Sequence, residues 1–152
     1  MLQLTLATLH LIALGLGLGA VINRGVALRE VPDSRSLARV FRAVALWGIA
    51  AGLWIITGLW RYLGGIEKSV TYYNGNSFFA IKMVLLGLIL ALEVWPMLTL
   101  IRWRIAIGRG AAPGAVAVPR TARAVATISH VQSLLIVLMV LAAVSMARGY
   151  SL

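Results

Sequence analysis

Four long apolar runs constrain this chain more than any other feature. They cover residues 2–22, about 38–63, about 77–100 and about 124–147. Each reaches the ~20 residues that a helix needs to cross ~30 Å of hydrocarbon. None alternates polar and apolar residues as a barrel strand does, and a helix satisfies its own backbone hydrogen bonds. We therefore predict an all-α fold, a polytopic membrane four-helix bundle embedded in a lipid bilayer.

The composition supports this prediction. Of the 152 residues, 61% are hydrophobic and 12% are charged, against about 25% charged residues in a soluble domain. The length fits a single membrane domain over 1–152. The chain contains no cysteine, which excludes disulfides, iron–sulfur clusters and thiolate zinc sites. The net charge of +10 does not indicate a nucleic-acid partner, because the arginines cluster between the apolar runs.

The arginine distribution predicts the orientation. Two arginine-rich loops, 23–37 and 101–123, and their edges hold Arg24, Arg29, Arg35, Arg39, Arg42, Arg102, Arg104, Arg109, Arg120 and Arg123. The only basic residues of the remaining loop are Arg61 and Lys68. The positive-inside rule then puts both arginine-rich loops in the cytoplasm and both termini outside. We expect a multi-pass protein of the bacterial cytoplasmic (inner) membrane.

Two glycine pairs predict how the helices pack. Gly15 and Gly19 in the first run, and Gly48 and Gly52 in the second, each leave a small residue on one face one turn apart. Such pairs let helix backbones approach closely. The alternative is that the missing side chains make room for a flat cofactor.

Four ionisable residues lie inside the spans: His10, Lys82, Glu93 and His130. Such residues are rare in lipid and indicate a functional site. Counting along each helix places His10 and Lys82 in the outer half of the bilayer, and Glu93 and His130 in the inner half. Lys82 and Glu93 are eleven residues apart, about three full turns, so they share one helix face.

The fourth run adds a polar stripe. Thr127, His130 and Ser133 are spaced by three and share a helix face, whereas Gln132 lies off it. Glu93 is expected either to pair with His130 or to be a neutral acid that is hydrogen bonded to a neighbour.

The outer pair of residues fits a haem site. A b-type haem in a helical bundle takes axial nitrogen ligands from facing helices. His10 supplies a neutral imidazole, and Lys82 serves as a ligand only when its amine is deprotonated. Arg61 and Lys68 are available for the haem propionates. The structural alternatives are a core histidine bonded to a carbonyl, and a lysine that snorkels to the headgroups.

The segments "TLHLIALGLGLGAVINRGVALR", "NSFFAIKMVLLGLIL", "LIRWR" and "SHVQSLLIVLMVLAAVSMARG" resemble an uncharacterised family of predicted bacterial four-helix membrane proteins. This resemblance covers nearly the whole chain, from Leu9 to Gly149. It implies the same fold but brings no assigned function.

More remotely, the chain is similar to the HemJ-type membrane protoporphyrinogen oxidases and the CopD-like copper-resistance proteins. In the HemJ type, "LH" opens the first helix and a lysine follows an aromatic approach in the third. The matching positions are His10 and Lys82, which the resemblance implicates in haem b binding. The HemJ type also has an Asn-Glu-x-Pro motif, where this chain has "SHVQ".

Our first hypothesis is a membrane redox protein that binds haem b. His10 would ligate the iron, Lys82 would be a second ligand or a nearby partner, and Arg61 would bind a propionate. His130 and Glu93 would tune or extend the site. An enzyme of this kind would be an oxidoreductase of the protoporphyrinogen oxidase-like type, acting on a porphyrin or a quinone.

Two other classes of function remain open. The chain has the features of a small proton- or metal-coupled transport protein, with Lys82 and Glu93 on the path. It also has those of an accessory subunit in a larger membrane complex or a homo-oligomer, where its polar residues would contact partner helices.

Overall fold

A computed structural model describes residues 1–29, 33–65 and 68–150, and over these residues the chain is helical and has no strand. Four helices are long and apolar enough to cross a membrane: α1 (Leu2–Ala27), α2 (Ser34–Leu63), α4 (Ser77–Gly108) and α6 (Pro119–Ala147). Two short helices, α3 (Val70–Asn74) and α5 (Pro113–Val116), lie in the connections. The predicted all-α four-helix membrane fold is confirmed.

The long helices extend well beyond the apolar runs at the end of the bundle that carries most arginines. Helix α1 continues to Ala27 and α4 to Gly108, where 22 and 100 were predicted. Helices α2 and α6 begin at Ser34 and Pro119 rather than near 38 and 124. Hydropathy falls at these ends of the apolar runs, but the helices continue there because arginine is a good helix former. Most of the two predicted loops is therefore helical, and residues 30–32 of the first lie outside the described part.

Asp33 fixes the start of α2. Its carboxylate accepts a hydrogen bond of 2.6 Å from the backbone N–H of Ser36, and the Ser36 hydroxyl oxygen accepts one of 2.9 Å from the N–H of Asp33. This reciprocal cap satisfies two N–H groups that the first helical turn leaves unpaired. The bond from the Ser36 N–H also holds the pKa of Asp33 below its usual value of 3.8.

The four long helices are arranged in the order α2, α1, α6, α4. Helix α1 packs against α2 and α6, and α4 packs against α6, while α2 and α4 touch only slightly. One apolar core, which includes Leu37, Leu100 and Trp103, lies toward the arginine-rich end. A second core, around Trp54 and Ile136, lies nearer the termini. The weak contact between α2 and α4 leaves space between them.

The glycine pairs do not pack as predicted. A Cβ atom at Gly15, Gly19, Gly48 or Gly52 would meet no atom within 4 Å, so within this chain these residues face open space. The close approach in α1 occurs at Gly17, where a Cβ would lie 3.0 Å from the Trp47 ring. The prediction was wrong for these pairs because their spacing shows which glycines share a face, not which face meets a neighbour.

Helix α3 lies across the end of the bundle where α1 begins and α6 ends. The Tyr72 hydroxyl donates a 3.1 Å hydrogen bond to the backbone carbonyl of Met146 at the end of α6. Beside it, Tyr62, Tyr73 and Phe79 form an aromatic cluster with ring centroids 5.2–5.7 Å apart. These contacts tie α2, α3, α4 and α6 together at this end.

Candidate functional site

Two cavities lie in the half of the bundle near the termini. The first, of about 370 Å³, is lined mainly by α1 and α6, and the second, of about 330 Å³, by α2 and α4. Both volumes fall within the ~300–1,000 Å³ of ordinary ligand sites. The residues that line both cavities are His10, Trp54, Lys82 and Met139. The two cavities therefore share one wall, and the two polar residues predicted for the outer half lie in it.

The hydrogen bonding of Thr57 sets the tautomer of His10. The Thr57 hydroxyl donates to a backbone carbonyl, since its oxygen lies 2.7 Å from the carbonyl oxygen of Leu53. The same oxygen is 2.9 Å from His10 Nδ1, so toward the imidazole it accepts. This arrangement favours the tautomer of neutral His10 that has its proton on Nδ1, which leaves a lone pair on Nε2. A fixed tautomer of this kind is typical of histidines that bind metals.

Neighbouring residues hold the His10 ring in place. A Cβ atom on Gly58 would lie 3.2 Å from His10 Cε1, so the absent side chain makes room for the imidazole. The Trp54 ring packs against His10 with a centroid separation of 5.8 Å. The indole N–H of Trp54 is buried and has no hydrogen-bond partner among the described residues. A buried N–H of this kind calls for an acceptor, and in a cavity wall a ligand can supply one.

The first cavity is strongly basic at its rim. Arg61, Lys68 and Lys82 line it together with His10, and the described lining includes no acidic residue. The Lys68 amine also lies 3.8 Å from the centroid of the Tyr72 ring, a cation–π contact. The rest of the lining is largely aliphatic. The first cavity thus combines an apolar lining with several basic side chains.

A separate polar centre lies nearer the arginine-rich end, around Arg24. The guanidinium is fully buried and forms a bidentate ion pair with Glu93, with bonds of 2.6 and 2.8 Å. It also donates to the side-chain oxygen of Gln132 at 2.7 Å and to the hydroxyl of Ser129 at 2.9 Å. The Gln132 amide donates in turn to Glu93 at 2.9 Å. This network joins α1, α4 and α6 through charge-assisted bonds, which are the strongest kind.

Of the two sequence-based expectations for Glu93, the pairing with His130 is contradicted by this network. Glu93 binds Arg24 and Gln132, and not His130. The Nε2 atom of His130 is buried without a hydrogen-bond partner in the described part of the chain, close to Gly25. Gln132 lies off the predicted polar stripe, as expected, and it is Gln132 that is buried against Glu93.

Arg24 was missed for a physical reason. It was assigned to a loop because the apolar run ends at residue 22, yet α1 continues for more than a turn beyond that point. The available signal was its spacing from Gly17, seven residues away and so on the same face of α1. The polar residues on α6 that face the core are Ser129 and Gln132, both fully buried, whereas Thr127 is exposed.

The structure thus brings three of the five predicted site residues together. His10, Lys82 and Arg61 line the first cavity, and Glu93 and His130 line neither cavity. Their predicted part in tuning a cofactor stays a prediction. The described residues contain no group of three His, Cys, Asp or Glu side chains placed to hold a metal ion.

The fold and the cavities define a multi-pass membrane protein with a ligand-sized internal site. Comparison with known families agrees on the class: residues 2–151 match the family described as "Predicted membrane protein (DUF2214)". The chain belongs to this family of unknown function. No curated protein and no solved structure matches it.

Proposed function

We propose that the two adjoining cavities bind haem b for a redox role in the membrane, and that His10 would hold the iron. The observation that carries this proposal is the state of His10. It lies in the wall that both cavities share, and its Nδ1–H is committed to Thr57, so Nε2 is the ligating nitrogen. A neutral imidazole held through its other nitrogen is the usual form of a haem-ligating histidine.

The charged rim supports a ligand that carries carboxylates. Arg61 and Lys68 lie where the first cavity approaches the end of the bundle, and they suit the two propionates of a haem. Lys82 lies closer to His10, in both cavities. As an amine it would be a second ligand of the iron, and as an ammonium it would bind a carboxylate.

The apolar part of the cavity lining suits the apolar ring of a porphyrin. Trp54, Met139 and the aliphatic side chains of α1 and α6 exclude water from the ring, and the Trp54 N–H offers a hydrogen bond to a ligand oxygen. Haem b supplies one-electron chemistry when bound. His10 would hold the iron, and the largely apolar lining of the cavities would affect its reduction potential. Oxidation of a porphyrin or a quinone is the finer form of the proposal.

Transport is less well supported. A proton path would use Glu93 as its carboxylate, but both Glu93 oxygens are bound to Arg24. A carboxylate held by a buried guanidinium gives up that pairing only at a large cost.

The membrane we infer is the bacterial cytoplasmic membrane, with both termini outside, and the arginine distribution supports this orientation.

The test is the absorption spectrum of the protein purified in detergent from haem-replete cells. We expect a Soret band in the wild type and its loss in His10→Ala, because the iron loses its protein ligand. The matched control is His130→Ala, which changes the other histidine of the chain and should keep the band. Size-exclusion chromatography checks that each variant is folded. The absence of a Soret band in the wild type, or an unchanged band in folded His10→Ala, would refute the proposal.

A further inference from the structure

A third cavity lies on the outside of the bundle, in the groove between α1 and α2, away from the two ligand cavities. It has a volume of about 500 Å³. Its lining residues are Gly15, Leu16, Gly19, Ala20, Asn23, Arg39, Arg42, Ala43 and Leu46. We propose that this groove, the α1–α2 groove, binds one anionic phospholipid of the surrounding bilayer, with the phosphate at Arg39 and Arg42.

The α1–α2 groove has a polar end and an apolar end. Asn23, Arg39 and Arg42 form one end, where α1 leaves the apolar run and α2 enters it. Gly15 and Leu46 lie at the other, deeper in the span. The eight residues from Gly15 to Asn23 cover ~12 Å along the helix. A phospholipid has the same order, with a charged headgroup at the membrane surface and an acyl chain below it.

The floor of the groove, formed by Gly15 and Gly19, is not covered by any side chain of the described residues. A Cβ atom on Gly15 or Gly19 would meet no atom within 4 Å, so nothing in the described chain fills the space above these glycines. Empty space in a membrane helix face is filled by lipid or by another helix. The floor therefore accommodates a chain that lies along α1.

Charge favours a lipid over a second copy of this chain. Among the described residues, the groove lining has two arginines and no acidic residue, which favours an occupant that carries negative charge. The protein has only four acidic residues, of which Glu93 is bound to Arg24 and Asp33 caps α2. A second copy thus has little acidic surface to offer, whereas anionic phospholipids are abundant beside basic membrane segments.

Native mass spectrometry of the detergent-purified protein tests this directly, with phosphatidylglycerol titrated against phosphatidylcholine. We expect one phosphatidylglycerol to bind in preference to phosphatidylcholine. A basic residue near an anionic surface strengthens binding about fivefold, so Arg39→Gln/Arg42→Gln should weaken it about 25-fold. The matched control is Arg102→Gln/Arg104→Gln, which removes the same charge from exposed positions of α4 at the same end of the bundle and should change it little.

A second pair of variants tests the groove without changing charge. Gly19→Leu fills the floor and should also prevent binding, while Gly48→Leu places the same side chain in open space outside the groove lining and should not. An equal loss of lipid in both arginine double variants would mean that only net charge matters. Unchanged binding in Gly19→Leu, or a second copy of the chain in place of the lipid, would equally overturn the proposal. None of the substituted residues lines the cavities near His10, so the Soret band of each variant should match that of the wild type.

Discussion

Arg24 is a fully buried guanidinium in a membrane helix, and it is stable there because acceptors on two other helices surround it. Glu93 neutralises its charge, while Gln132 and Ser129 accept its remaining hydrogen bonds. A charge in hydrocarbon costs several kcal/mol unless it is paired in this way. Arg24 therefore stabilises the fold only as part of this network, and without its partners it would destabilise the fold.

Removal of one partner should reveal this dependence. Arg24→Gln leaves the Glu93 carboxylate buried without a counter-charge, and we expect a loss of about 3–5 kcal/mol in the free energy of unfolding. Thermal unfolding in detergent measures the change. Arg29→Gln is the matched control, because Arg29 is exposed and its loss removes the same charge. In Arg24→Gln/Glu93→Gln no charge is left unpaired, so part of the stability should return. A melting temperature of Arg24→Gln equal to that of Arg29→Gln would contradict this account.

The sequence identified Glu93 and Lys82 as unusual but not the partner of Glu93. A charged residue inside an apolar run is visible from composition and position alone. Its partner depends on which helix faces meet, which is decided by packing. The common depth of His10 and Lys82 followed from counting residues, since the rise of a helix is constant. The bond from His10 to Thr57 had no comparable signal, because threonine in a membrane helix commonly bonds to its own backbone.

At the scale of the helices, the close contact between α1 and α2 depends on Gly17 rather than on the glycine pairs. Trp47 occupies the space that a side chain at residue 17 would need. The large indole ring then fills the interface, and both Trp47 and Trp54 are buried in the same core. Contact between a small residue and a large one allows two helices to approach without leaving a void.

A single methyl group tests this contact. In Gly17→Ala the new Cβ would lie 3.0 Å from Trp47 Cζ3, and we expect overpacking to cost about 1–3 kcal/mol in the free energy of unfolding. The matched control is Gly48→Ala, where the Cβ meets nothing within 4 Å. That variant should be neutral or up to about 1 kcal/mol more stable, since alanine favours a helix. Thermal unfolding of the two variants in detergent compares them, and equal melting temperatures would show that α1 and α2 have room to separate.

At the scale of the whole molecule, the number and class of the spans could be predicted from the sequence, but their order in space could not. Hydropathy is a local property, so four runs predict four helices. The order α2, α1, α6, α4 results from which faces pack, and the glycine pairs gave the wrong face. The gap between α2 and α4, which creates the second cavity, follows from that order.

The predicted orientation can be measured because the chain has no native cysteine. We expect Thr71→Cys, at an exposed position of α3, to react with a membrane-impermeant maleimide in intact cells. Ala112→Cys, at an exposed position beside α5, should react only after the cells are permeabilised. The reason is the excess of arginines at the end that contains α5. The reverse labelling pattern would place both termini in the cytoplasm.

The pair formed by Arg24 and Glu93 has a consequence for biosynthesis. The two residues are 69 positions apart, so the ribosome makes the arginine first and the glutamate about 3–14 s later. During that interval α1 has no acid to receive its guanidinium, and the long side chain must reach the headgroups instead. We therefore expect helix α1 to reach its final depth only after α4 has been made.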